Sequence, residues 1–238
     1  MKKKILSGMA LAGLLALGAA GTSFAAPFTI TSQLTGDPRP DNPDNLIVDV
    51  TILADTESAD TFWTVDLNSP LHPEIKLDAF FFNLALDPAD VTFSAFAPTG
   101  WDVFSPADNA AGSGSADFMF EADQIPASGA ADVTNSQDLT FTASLDSGFW
   151  TEAMFLTAGE AESSDDDLGS FQLGAHLQSL TVPAGTDMSD SGFAGGNYGG
   201  NGGNGGNGTD PIPEPATMLL FGTGLVSLAG SRLRRRKR

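Results

Sequence analysis

Apolar and polar residues alternate with a period of two along most of the middle of this chain, and nowhere does that region sustain a capped 3.6-residue period. From Asp138 to Leu145, Leu139, Phe141, Ala143 and Leu145 alternate with Thr140, Thr142 and Ser144. Leu46, Val48, Val50 and Ile52 share one face, with Asp49 and Thr51 on the other. Phe171, Leu173, Ala175 and Leu177 alternate with Gln172, Gly174, His176 and Gln178. A strand with one face in a core and one in water needs this pattern, because successive side chains point to opposite faces. Further runs cover Phe28–Leu34, Thr61–Asp66, Ile75–Leu86, Val91–Phe96, Asp117–Glu121 and Trp150–Thr157. Clusters of Pro, Gly, Asp and Asn separate them, as at Asp37–Asp44, Asp87-Pro88 and Ala110–Ser115. The pattern predicts an all-β domain over residues 26–191, an antiparallel β-sandwich of about eight to nine strands.

Phe80-Phe81-Phe82 interrupts the alternation by placing bulk on both faces, as a central strand covered on both sides or a β-bulge would require. An exposed aromatic able to stack on a sugar ring is the functional alternative. Trp63, Trp101 and Trp150 pose the same choice. Trp101 is the best candidate for exposure, because it follows the turn Pro98-Thr99-Gly100; core packing remains the more common fate of an aromatic in a sandwich. Cysteine is absent, so the domain has neither disulfide nor thiol chemistry and relies on an ordinary hydrophobic core.

The two ends read differently. Lys2, Lys3 and Lys4 precede an apolar run from Ile5 to Ala20, and Ser23-Phe24-Ala25 places small residues where signal peptidase inspects the chain. Residues 1–25 are therefore expected to be a signal peptide cut after Ala25, an uncleaved anchor being the alternative. From Gly192 the composition turns to Gly and Asn, too poor in apolar side chains for a core, and 192–212 reads as a disordered linker. Pro213-Glu214-Pro215 then excludes a continuous helix. An apolar segment, 216–231, follows and is expected to be a transmembrane helix. About fifteen apolar residues at 1.5 Å each reach roughly 22 Å, short of a ~30 Å hydrocarbon core, a gap that snorkelling arginines narrow. Arg232, Arg234, Arg235, Arg236, Lys237 and Arg238 form a basic stop that holds the C-terminus on the cytoplasmic side.

This order of Pro-Glu-Pro, apolar segment and basic cluster, over 213–238, resembles the PEP-CTERM sorting signal of Gram-negative bacteria. The resemblance implies export, transient anchoring in the inner membrane and cleavage near Pro213, Glu214 and Pro215 by an exosortase. It also implies a final location outside the cell, at the surface or in the matrix. Gly174 to Leu180, ahead of Ser191-Gly192-Phe193, is similar to the ends of bodies that carry such signals, and no functional residue follows from that likeness.

Charge is divided just as sharply. Of 11 basic residues only Arg39 and Lys76 lie in the region from Asp37 to Glu214, which holds all 30 Asp and Glu, a net −28 against −19 for the whole chain. Nucleic acid is thereby excluded as a partner, since phosphate binding needs clustered Lys and Arg. Divalent cations, cationic polymers and neutral polysaccharide stay open, as does the simpler role of charge in solubility.

No constellation points to catalysis. Gly205 to Ile212 matches one calcium-binding nonapeptide of a parallel β-roll, but that architecture needs stacked copies, and the preceding Gly-Gly-Asn units lack the aspartate. Asp146-Ser147-Gly148 and Asp190-Ser191-Gly192 repeat the tripeptide of an aspartic protease dyad, which would need both carboxylates sharing one proton. Glu160, Glu162, Asp165, Asp166 and Asp167 offer hard oxygen ligands without EF-hand spacing; Asp165, Asp166 and Asp167 are thus weak candidates for Ca²⁺ beside a solvated acidic loop. His72 and His176 lack a metal-binding motif and are expected at the surface, and no G-x-S-x-G elbow is present.

The expectation is an exported, exosortase-processed domain, not an enzyme, with no resident cofactor, acting in an exopolysaccharide or biofilm matrix. A carbohydrate-binding module using exposed tryptophan, a calcium-dependent adhesin and a polysaccharide hydrolase are the alternatives. Exosortase, signal peptidase and the membrane are its expected partners during export, with exopolysaccharide as the candidate afterwards.

Overall fold

The computed structural model describes residues 27–36, 45–55, 57–107, 117–125, 128–162, 170–185 and 189–200. The expected signal peptide with Ser23 and Ala25, the acidic residues Asp165, Asp166 and Asp167, and everything from 201 onward lie outside the described residues. So do the expected transmembrane segment 216–231 and Pro213, Glu214 and Pro215.

The alternating segments are strands. They are β1 (Phe28–Gly36), β2 (Ile47–Ala54), β3 (Asp60–Leu67), β4 (Lys76–Phe82), β5 (Val91–Ala97), β6 (Trp101–Phe104), β7 (Phe120–Gln124), β8 (Val133–Thr134), β9 (Leu139–Leu145), β10 (Ala161–Glu162), β11 (Ser170–Phe171), β12 (Leu173–Gln178) and β13 (Ser191–Gly196). Eleven of them form one sheet with the path β5-β9-β3-β2-β1-β13-β12-β4-β7-β6 and β8 beside β4, while β10 and β11 pair separately. Every pairing is antiparallel. The sheet is nearly closed and barrel-like. The expected two-sheet sandwich of eight to nine strands thus becomes one sheet with more strands. Its halves join through the residue pairs Thr35↔Gly195 and Gly36↔Ala194 of β1 and β13.

Inside the curl lies one large core. Ile30 and Leu34 of β1, Val48, Val50 and Ile52 of β2, Trp63, Val65 and Leu67 of β3, and Leu139, Phe141 and Ala143 of β9 face residues from β4, β7, β12 and β13. Trp63 stacks on Phe141 and tilts against Phe82. Each tryptophan also finds an acceptor for its indole N–H, which makes burial affordable only in that geometry. Trp63 Nε1 donates to Thr61 Oγ1 at 3.0 Å, Trp150 Nε1 to the Ala59 carbonyl at 2.6 Å and Trp101 Nε1 to the Ala131 carbonyl at 3.4 Å. The Phe triplet behaves as a central strand covered on both sides. Phe80 and Phe82 enter the main core, and Phe81 joins a second cluster with Ala79, Phe118, Ala161, Phe171 and Phe193 on the sheet's other face.

Two expectations need correction. Trp150–Thr157 is not a strand: Ala153–Leu156 is a short helix, α1, whose Phe155 is buried against Trp150. Glu152 opens a turn there, and the apolar residues are spaced to bury one side only. The linker does not start at Gly192 either, since β13 lies between β1 and β12 with Phe193 and Ala194 fully buried. Its glycines are a packing requirement. A Cβ on Gly195 would sit 2.7 Å from the Phe171 ring, and one on Gly174 would sit 2.5 Å from the end of the Phe193 ring. Tyr198 follows and closes the core, its hydroxyl donating to the Asn83 carbonyl at 2.8 Å while its own N–H donates to Gln172 Oε1 at 3.0 Å. Burial pushes the Tyr198 phenol well above its usual pKa, so it acts as a neutral donor.

Because the Phe171 ring atoms nearest Gly195 are at the ring's attached end, they cannot swing aside. Gly195→Ala should destabilise the fold by about 1–3 kcal/mol, read as a lower urea midpoint with an unchanged slope. A chain ending at Gly200 should melt cooperatively, whereas one ending at Asp190 should show no cooperative transition; equal melting of the two would remove β13 from the fold.

Candidate functional site

The outward residues of β1, β2, β3, β9 and β5 fall into bands. The first runs Thr29–Leu53–Phe62–Thr142–Ser94 across five strands. Leu53 and Phe62, directly paired, are 50% and 58% exposed. The second band is Thr31–Thr51–Thr64–Thr140. The third runs Gln33–Asp49–Asp66, and Asp138 extends it, one residue before the Leu139 that pairs with Val65. Each band is two residues from the next along a strand, about 7 Å.

Electrostatics in the third band are one-sided. Asp49 is held by Gln33 Nε2 at 2.9 Å and Asn68 Nδ2 at 3.0 Å. The Asp66 carboxyl is raised above the usual carboxylate range, first by partial burial and then by the charges of Asp138 and Asp49. Lys76 is the only Lys or Arg among the described residues, and it is paired elsewhere, with Asp132 at 2.7 Å. Among the described residues no group of three or more His, Asp or Glu side chains converges as a metal site would require.

The residues singled out in the sequence are dispersed. Trp101 is buried beside the 130–133 segment, as are Trp63 and Trp150 in the core, so the exposed-tryptophan version of sugar binding is overturned. His72 is not at the surface: it is 3% exposed, and its Nδ1 accepts the Thr181 N–H at 3.1 Å. That loop is fixed by Asn135, which donates to the Ser69 and His72 carbonyls. His176 lies partly covered, its Nδ1 2.8 Å from Asp78 Oδ2 across neighbouring strands. The two Asp-Ser-Gly aspartates are exposed, at the ends of β9 and β13, which three strands separate. Of the acidic run, Glu160 is engaged with Ser170 Oγ at 2.7 Å and Asn197 Nδ2 at 3.2 Å, bracing β10 and β11.

Phe62 was the residue missed by reading the sequence. Its signal was present: Val65 and Leu67 set the inward parity of β3, so Trp63 turns in and its neighbour Phe62 must turn out.

No helix among the described residues is long and apolar enough to cross a membrane. Comparison with known families finds the PEP-CTERM protein-sorting motif at residues 211–237, the C-terminal end of the chain. No curated protein and no solved structure matches the chain. The chain is therefore of the class sorted by that signal. It is an exported protein that passes through the membrane and is processed by an exosortase, a membrane protease, on its way to the cell surface. Only residues 201–210 separate the end of the described fold, Gly200, from the matched motif.

A raised carboxyl pKa means that the folded chain binds the Asp66 proton more tightly than the unfolded chain does. Stability from this group is then greatest in acid and falls as pH rises from the ordinary carboxylate range through the raised value. Asp66→Asn should make the protein more stable at neutral pH, on the order of 0.5 kcal/mol for relief of like charges paired across strands. The gain should vanish in acid; melting temperatures of both proteins followed against pH check this, and a gain that persists undiminished at low pH contradicts it.

Proposed function

We infer that the barrel-like body acts non-enzymatically in the extracellular exopolysaccharide matrix, to which the C-terminal signal delivers it. The observation that carries the reading is the sorting motif at 211–237, which starts soon after Tyr198, the last buried residue among those described. The described core, up to Tyr198, is built from residues that precede the motif, so a cut at the motif leaves every described core residue in the released body. A body with a net −28 between Asp37 and Glu214 stays soluble and resists self-association when released.

A hydrolase of matrix polymer would need two carboxylates about 5–10 Å apart in a cleft, one of them poised as an acid. Asp49, Asp66 and Asp138 instead stand in a row on the outer face of the sheet. Partial burial and then the charges of Asp138 and Asp49 raise the Asp66 carboxyl, so it belongs to a row of like charges and not to an acid paired with a separate base. No resident cofactor is needed for this role. A calcium-dependent adhesive function through Asp165, Asp166 and Asp167 is the other reading, and calorimetry with Ca²⁺, with and without a chelator, separates the two.

Intact mass of the extracellular protein should show loss of residues 1–25 and of the Arg232–Arg238 cluster. Replacing Pro213, Glu214 and Pro215 by alanine should leave the cluster attached and shift the protein to the membrane fraction. An extracellular form that keeps its C-terminal arginines would sink the processing reading. New reducing ends released from matrix polysaccharide by the purified protein would sink the non-enzymatic one.

A further inference from the structure

We propose that the outer face of β1, β2, β3 and β9 binds a cationic amino-sugar polymer. This deepens the matrix reading by naming a ligand class and a site for it. The face offers three kinds of group in parallel bands: the apolar pair Leu53 and Phe62, the row Thr31, Thr51, Thr64 and Thr140, and the carboxylates of Asp49, Asp66 and Asp138. Asp66 lies four residues beyond Phe62 on β3, about 13 Å along the strand, which is room for a few pyranose rings.

Each band suits one part of such a chain. The C–H face of a sugar ring laid on Phe62 and Leu53 removes apolar area from water on both sides. Phe62 has no aromatic neighbour among the described residues, and an ammonium near its face is attracted by the ring quadrupole. The four threonine hydroxyls make no hydrogen bond within the described chain, nor do the carboxylates of Asp66 and Asp138, so donors and acceptors are free for ring hydroxyls and amines. An ammonium placed among Asp49, Asp66 and Asp138 offsets the repulsion that, after partial burial, raises the proton affinity of Asp66.

Charge decides among occupants. An anionic uronate polymer meets like charge and, among the described residues of this face, no Lys or Arg. A second copy would bring the same carboxylates against themselves, because a two-fold contact pairs a patch with its own image. A cationic peptide would bind best by adding to a strand edge, but the backbone of β2, β3 and β9 is already paired on both sides. What remains on this face is side-chain chemistry matched to a positively charged, hydroxyl-bearing ring.

The test uses the full chain in detergent, titrated calorimetrically with a fully N-deacetylated glucosamine oligomer. Phe62→Ala should weaken binding about tenfold, and the pair Asp66→Asn/Asp138→Asn should weaken it comparably and flatten its salt dependence. Glu74→Gln/Glu152→Gln removes the same charge from exposed positions elsewhere and should change affinity less than about twofold. The N-acetylated oligomer and a uronate polymer should not compete. Near-ultraviolet spectra of the buried tryptophans verify that each variant is folded. No binding, equal losses in the two charge pairs, or an oligolysine that binds with the same Phe62 dependence would each overturn the site. None of those results bears on the mass of the processed protein, so failure here leaves the sorting and matrix reading to its own experiments.

Discussion

Two phenylalanine rings press against glycines of adjacent strands, and that contact is what lets the two halves of the sheet meet. Phe171 covers Gly195 and Phe193 covers Gly174, in places where any Cβ would overlap the ring. With those rings seated, Ser191–Gly196 is narrow enough to pair with Leu173–Gln178 on one side and to touch β1 on the other. The second apolar cluster around Phe81 then forms over the outside of the same strands, so this region of sheet is buried on both faces. Elsewhere the sheet has one dry face and one wet one. The polar residues around this join are satisfied in turn: Gln172 donates to the Ala158 carbonyl and accepts from Tyr198, and Asn83 donates to the Gly159 carbonyl and accepts from Met119.

How legible this was depended on which rule a segment obeyed. Strands with one wet face, such as β2, β3 and β9, were plain in the alternation, and the phenylalanine triplet announced a strand covered twice. The glycine-rich end was read by composition as linker, because three glycines in six residues normally weaken a strand. Their value appears only with Phe171 and Phe193 in place, a tertiary fact that no local pattern carries. Trp150–Thr157 failed for a related reason. A short apolar run fits a strand or a single helical turn equally well, and contact with Trp63 and Tyr198 through Phe155 selects the helix. His72 lacks a metal-binding motif and is expected at the surface, yet Asn135 and Thr181 hold its loop in the interior.

The sorting signal was legible as a string, since its order of turn, apolar segment and basic cluster needs no fold to be recognised. The outer face was half legible. Threonines at alternate positions are common on any exposed sheet because they suit a pleated surface. The register places the bulky Leu53 and Phe62 side by side among them and lines up three aspartates across adjacent strands, and register is a property of pairing that sequence alone does not give. Segregation of charge runs through the whole chain in the same way. Basic residues gather at the parts that are expected to be removed, and the domain itself keeps almost none.

The sheet's two terminal strands in hydrogen-bonding order, β5 and β6, are neighbours in the chain, joined only by Pro98, Thr99 and Gly100. A sheet that ends where it also turns has its two unpaired borders tethered beside one another. Open borders are where β proteins recruit further copies and grow into fibres. Tying them together withdraws that invitation, since one three-residue turn guards both ends of the sheet at once.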